Sequence, residues 1–419
     1  MQIQLRSPVH RWVFAGACLI VAALYLLACG RTFLAAYLAA KPGLPDIQQA
    51  IRLEPSNAEY RAILGRNLAL SVANTDEAIS DFQTAVRLNP YESHYWLDLA
   101  ATYQVAGNID EQARSVEQAA KADPTTPHVA WEAANFFLVQ GDIAKALPYF
   151  RAVLANDPDS VDSALELCWR ASGDANQIFD QALTPRTDLY LSFLRLLVSR
   201  KAISPAKNAW DHLIGLGQSF PPKPTLPYFR LLIANQQGLA AITAWQQMAQ
   251  LDQEIRSYLP SRENLVVNGG FEERLLNGGF DWWYEPNAHA KLAIDTDQFY
   301  GGTRSLSVTF DGKSAPDAGI AQFIAVKPDT DYEFSAESKT QDIDSASGPR
   351  FAIGDAYTLS SYVLTDDLLG SNPWHKQQAR FHTGPKTNMI FIKIAREPAA
   401  PLIRGKLWID DVRLAEATP

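Results

Sequence analysis

The sequence has only three cysteines. Cys18 and Cys29 share one apolar N-terminal run and Cys168 stands alone, which excludes a disulfide framework or a cysteine-rich zinc site. That scarcity leaves the compartment open, because large domains outside the cytoplasm also fold without disulfides. Basic clusters are missing too. With a formal net charge of −9 and no Lys/Arg-rich stretch, the chain lacks the cationic face that phosphate binding needs, so no nucleic-acid partner is expected. The seven histidines form no His-Glu-x-x-His pattern, no nucleophile elbow is present, and Asp366-Asp367 has no recognisable partner. The sequence therefore predicts no enzyme. What remains is ordinary globular composition, 47% hydrophobic and 20% charged, over 419 residues, enough for two or three domains.

The N-terminus holds the one long apolar run. From Trp12 to Cys29 no residue is charged, with Arg6, His10 and Arg11 before the run and Arg31 after it. A helix there spans roughly 27 Å, close to the hydrocarbon thickness of a bilayer. We read residues 12–30 as a transmembrane signal anchor and 1–11 as a cytoplasmic leader. Leu26-Leu27-Ala28-Cys29 also resembles a bacterial lipobox, so lipidation of Cys29 and a cleaved signal stay open beside the uncleaved anchor. Arg31, placed as a stop at the end of the span, and the bulk of Leu27 favour the uncleaved form. Lys and Arg are nearly balanced across the span. A short leader then predicts a single-pass inner-membrane protein with the bulk of the chain outside the cytoplasm.

Four prolines follow, Pro55, Pro90, Pro124 and Pro158, each preceded by an acidic residue or Asn. The same step of about 34 residues relates Leu68, Tyr103 and Phe137; Gly107 and Gly141; Phe82, Val116 and Phe150; and Ala50, Ala85, Ala119 and Val153. Several registers sharing one period resemble tetratricopeptide repeats, two-helix units that stack into a superhelix and bind other proteins. We place these repeats over 31–186. One extra residue between Leu68 and Ala78 predicts a longer turn, and Gln112, where alanine is usual, predicts looser packing. Residues 187–258 keep helical periodicity without the repeat and read as two degenerate helix pairs, with Gly217 and Gly238 closing the second and third helices. Trp210, Trp245 and the other aromatics here are expected in helix packing, and His94, His128 and His212 as isolated surface residues.

Past residue 260 the period changes to alternation. Leu306, Val308 and Phe310 share one face, as do Tyr332, Phe334 and Ala336, and Ile390, Ile392 and Ile394. Turn-rich segments separate them, predicting about ten strands in a two-sheet sandwich. The run "NLVVNGGFE", then "GFDWW", "YGGTRSLSVTF", "WHKQQARFHTG" and "LWIDDVRL" together resemble carbohydrate-binding modules of the family 4/9 type, jelly rolls of the galactose-binding-like group, over 263–419. On that resemblance "NLVVNGGFE" is the first strand, with Gly269-Gly270 turning the chain, Phe271 entering the core and Trp282 buried.

The group often carries a structural Ca²⁺. The apolar parity switches at Asp410-Asp411, as a β-bulge requires, which with Glu272, Gly301 and Gly302 gives a candidate oxygen cage. For glycan contact the resemblance points to Trp283, Tyr284, Tyr357, Tyr362, Lys393 and Arg396, while Trp374 reads as an edge packing residue. The fold class expected is thus multidomain: an N-terminal transmembrane helix, an all-α tetratricopeptide-type superhelix, and an all-β jelly-roll sandwich. In bacteria, chains that combine such an anchor, such repeats and such a module resemble accessory proteins of exopolysaccharide or cell-envelope assembly. That resemblance implies a non-catalytic, membrane-anchored adaptor with repeats on a protein partner and the sandwich on a polysaccharide, in exopolysaccharide assembly or export. The alternatives are a protein-interaction scaffold whose sandwich binds no sugar and a glycan-capture lipoprotein.

Overall fold

The structure is a computed structural model that describes residues 8–417, leaving most of the leader outside the described residues. The chain forms two compact units, residues 1–184 and 185–419.

The first unit is helical. Helix α1 (Pro8–Ala39) is continuous through and beyond the apolar run. Its segment Arg11–Ala39 is long and apolar enough to cross a membrane, and its apolar window is unburied. Its last turns are different in kind: Ala35, Leu38 and Ala39 are buried in a cluster that includes Ile47, Ala50 and Ile51 of α2 (Leu44–Leu53). One helix therefore serves both as the apolar segment and as the first wall of the helical array.

Three helix pairs follow: α3 (Ala58–Ala69) with α4 (Thr75–Leu88), α5 (Ser93–Val105) with α6 (Ile109–Ala122), and α7 (Pro127–Val139) with α8 (Ile143–Asn156). Each register has a physical role. Ala50, Ala85, Ala119 and Val153 are all fully buried. Their carbonyls accept the N–H of Glu54, Asn89, Asp123 and Asp157, the residues before the four prolines. Those capping residues have φ between −129° and −139°, the extended backbone that a following proline imposes. Proline thus ends every second helix at the same point.

Between paired helices the turn is a left-handed cap. Gly107 and Gly141 have φ of 72° and 77°, and the following N–H donates back to Tyr103 O and Phe137 O. The extra residue of the first pair is absorbed as a short 3₁₀ turn, Val72–Asn74. Gln112 is half-buried where its counterparts Ala78 and Ala146 are fully buried. Helices α9 (Val161–Ser172) and α10 (Ala175–Gln181) finish the unit.

The second unit opens with α11 (Thr187–Ser199), α12 (Ile203–Gly215), α13 (Leu226–Ala234), α14 (Gly238–Leu251) and the short α15 (Gln253–Arg256). The repeat's turn survives here without its glycine. Lys201 and Gln236 take φ of 54° and 59°, and the next N–H donates to Leu197 O and Leu232 O, as after Gly107. Gly217 follows α12 with φ 63°, as expected. Gly238 does not close a helix. It begins α14, where a Cβ would come within 2.9 Å of Met389 and of the Tyr357 hydroxyl.

The rest is an antiparallel two-sheet sandwich. One sheet has the order β1 (Trp283–Tyr284), β4 (Asp317–Ala325), β9 (Met389–Ala395), β6 (Arg350–Asp355), β7 (Ser361–Leu364). The other runs β2 (Ala290–Asp295), β3 (Ser305–Ser314), β10 (Leu402–Glu416), β5 (Asp331–Asp344), β8 (Gly370–His382). The alternating faces read from the sequence all point into the core between the sheets. The register of β10 against β5 shifts between Asp410 and Arg413, with Asp411 at φ 46°, so the bulge lies where the parity switched.

"NLVVNGGFE" is not a strand. It lies along β10 through Leu265 N–H to Leu414 O and Val412 N–H to Gly269 O. Left-handed backbone falls on Asn268 and Phe271, not on the two glycines. Gly269 is needed for proximity, since its Cβ would stand 2.1 Å from Val412 O. Phe271 and Trp282 are buried and stacked at 5.3 Å.

The second Asn-Gly-Gly-Phe run, Asn277 to Phe280, is a socket. A Cβ on Gly279 (φ 63°) would lie 2.1 Å from the Trp245 ring of α14, and Phe280 packs edge-on to that ring at 6.0 Å. Trp245 donates its indole N–H to Tyr258 O and is 1% exposed. The helices of the second unit are fastened to the sandwich through this socket.

Candidate functional site

Two sequence-selected residues meet on the outer face of the β1-β4-β9 sheet. Trp283 of β1 pairs in register with Ala321 of β4, and Ala321 with Lys393 of β9, which sets the three in one row. Lys393 faces outward because Ile392 and Ile394 on either side are buried in the core. The small Ala321 between two large residues leaves a cleft of about 410 Å³, bounded also by Arg230, Glu285, Asp317 and Phe323.

Trp283 is held on several sides. Its indole N–H donates to Gly279 O at 2.8 Å, Phe323 packs edge-on at 4.9 Å, and the Arg230 guanidinium lies 4.9 Å over the ring. Lys393 Nζ lies 5.4 Å over Phe391. The ring is thus a wall of the cleft and carries a cation on its face.

The other four candidates lie elsewhere. Tyr284 packs at the edge of the sandwich core and lines a separate cavity with Arg274, Ile294 and Arg304. Tyr357 packs against Gly238, with its hydroxyl buried. Tyr362 stacks on Phe381 at 5.6 Å, its hydroxyl bonded to Thr387 and accepting the Gly384 N–H. Arg396 is 4% exposed and donates to Ser347 O, Ala315 O, Ser345 Oγ and Pro401 O, so its guanidinium is buried and bonded within the protein. These residues pack the sandwich and its loops.

Arg230 was missed because it comes from a helix outside the sandwich. Its one signal was being the only charge in α13, "LPYFRLLIA". His94 and His128, read as isolated, stand one repeat apart with ring centroids at 6.4 Å on α5 and α7. Beside them is a groove of about 660 Å³ lined by Ala101, Gln104, His128, Glu132, Phe136 and Val139, among others.

The expected calcium residues converge in part. Glu272 accepts the Thr303 and Arg304 N–H groups and the Thr303 hydroxyl, while Asp410 accepts the Tyr300 and Gly301 N–H groups, so both acids grip the loop holding Gly301 and Gly302. Those donors hold the Glu272 carboxyl below its usual range, whereas burial pushes Asp410 up. Asp411 turns away and pairs with Arg413, which removes it from the expected cage. Among the described residues no three His, Cys, Asp or Glu side chains are grouped to hold a metal ion. A cation here would take two carboxylates, and its remaining ligands would be neutral oxygens such as backbone carbonyls, the Thr303 hydroxyl or water. Gly270 leaves the space between them open, a Cβ there being 3.8 Å from Asp410 Oδ1 and 3.9 Å from Glu272 Cγ.

Comparison with known proteins separates the same two parts. Residues 263–398 match the family model of a carbohydrate binding domain, and residues 67–127 and 97–161 match that of a tetratricopeptide repeat. Similar solved structures include a family 4 carbohydrate-binding module, at 13% identity over 36% of this chain and 99% of that chain, TM-score 0.29. A family 16 carbohydrate binding module aligns at 24% identity over 36% and 100%, TM-score 0.27. For the helical part, MamA aligns at 12% identity over 42% and 93%, TM-score 0.31. No curated protein matches the chain. It carries tetratricopeptide repeats and, C-terminal to them, a sandwich of the carbohydrate-binding-domain family.

Proposed function

We propose that this chain is a non-catalytic adaptor tethered to the bacterial inner membrane by α1, whose repeats hold a protein partner and whose sandwich holds a polysaccharide in exopolysaccharide assembly or export. The match of residues 263–398 to a carbohydrate binding domain, with the Trp283-Ala321-Lys393 row on that domain's outer face, carries the reading. An open cleft with aromatic walls and polar edges suits sugar rings, which present C–H faces and hydroxyls together. The α5/α7 groove is the proposed protein contact, its exposed Val139 and half-buried Phe136 lying within reach of an extended segment. We include a structural Ca²⁺ held by Glu272 and Asp410, which would tie the opening segment, the 300–304 loop and β10 together.

The test is affinity electrophoresis of the full chain in nonionic detergent against a panel of polysaccharides, with Trp283→Ala and Lys393→Ala. Retardation that both variants weaken supports the proposal. Absence of retardation by every polymer favours the protein-interaction scaffold instead.

A further inference from the structure

We propose that the cleft selects acidic glycans, with Arg230 as its carboxylate-reading residue; this rests on the cleft being the glycan site proposed above. Two cations face one small cleft, and among the described residues neither Arg230 nor Lys393 forms an ion pair or a hydrogen bond with protein. Two acids line the same cleft, and among the described residues neither is ion-paired with these cations. Asp317 directs Oδ1 to the Gly319 N–H, and Glu285 is exposed and without an ion pair.

Each cation instead lies over an aromatic ring, Arg230 over Trp283 and Lys393 over Phe391. A ring attracts a cation through its quadrupole, without the directional acceptor lone pairs that a carboxylate offers. With no protein acceptor on Arg230 among the described residues, its guanidinium fork is available, and a planar carboxylate is the acceptor that fork fits in two parallel bonds. A uronic acid supplies that carboxylate on a sugar ring, and Ala321 and Gly319 leave the floor low enough for the ring to approach. A neutral sugar would displace water from two unpaired cations without returning a charge. Arg230 belongs to a helix, so the sandwich cannot make this selection without α13.

The experiment is calorimetric titration of the full chain in nonionic detergent with oligogalacturonate and with the same oligomer after reduction of its carboxylates. The acidic form should bind at least about 10-fold more tightly, the scale of a charge-assisted bidentate contact. Arg230→Ala should abolish the preference with at most a few degrees' fall in thermal midpoint from the lost ring contact, Arg230→Lys should restore it only in part, and Glu285→Gln should strengthen acidic binding. Equal binding of both oligomers, weakened by Lys393→Ala, would overturn the selectivity and leave a neutral-glycan site standing. Binding of dextran sulfate as tight as that of oligogalacturonate would overturn carboxylate recognition. Failure of every sugar to bind would remove the underlying reading as well.

Discussion

Gly279→Ala isolates the contact that joins helix to sandwich. The added methyl would sit 2.1 Å from the Trp245 ring, with ring atoms also at 2.4 and 2.9 Å, inside any carbon–carbon contact distance. Trp245 cannot retreat freely, since its N–H is bonded to Tyr258 O and its ring is packed against Phe229 at 4.9 Å. Overpacking of this kind costs about 1–3 kcal/mol. A residue with a Cβ at φ 63° adds about 1 kcal/mol more. The sum is about 2–4 kcal/mol, taken from the second unit. Hydrogen exchange of β4 and β9 peptides along a urea gradient reads that unit's stability directly. In a Trp245→Leu background the steric part should vanish and only the backbone part, about 1 kcal/mol, should remain. An unchanged exchange profile in Gly279→Ala, or an equal loss in both backgrounds, would refute the socket.

Two further predictions concern charge. Asp281 is fully buried, and burial pushes its carboxyl up to about 7 against donors from Leu276 N–H and Asn268. The folded state then keeps a proton that the unfolded state has released, so the second unit should lose stability as pH rises from about 4 to 7, by a few kcal/mol at most. Asp281→Asn should flatten that slope in urea melts at pH 5 and pH 8. Ca²⁺ present at about 100 times its dissociation constant should add roughly 2.7 kcal/mol, a rise of several degrees in thermal midpoint over a chelator control. Glu272→Gln should reduce that rise; no rise in the parent would mean that amide bonds alone hold the loop.

Everything periodic was legible along the chain. The 34-residue registers named the buried small residues, the αL glycines and the helix-ending prolines, because local helix geometry and proline sterics act within a few residues. Alternation named the sandwich core, and the parity switch at Asp410-Asp411 named the bulge, because side-chain direction in a strand has period two. The rest depended on approach between segments distant in the chain. Arg230 reached Trp283, Trp245 entered the Gly279 socket, and Gly238 proved to be a contact rather than a cap. Arg396 and Tyr362 share residue type with sugar-binding groups, yet distant neighbours had already claimed the donors of one and the ring face of the other, and Tyr357 is packed against Gly238. A one-dimensional pattern records which way a side chain points; which partner has arrived there first is set by the packing of the whole unit.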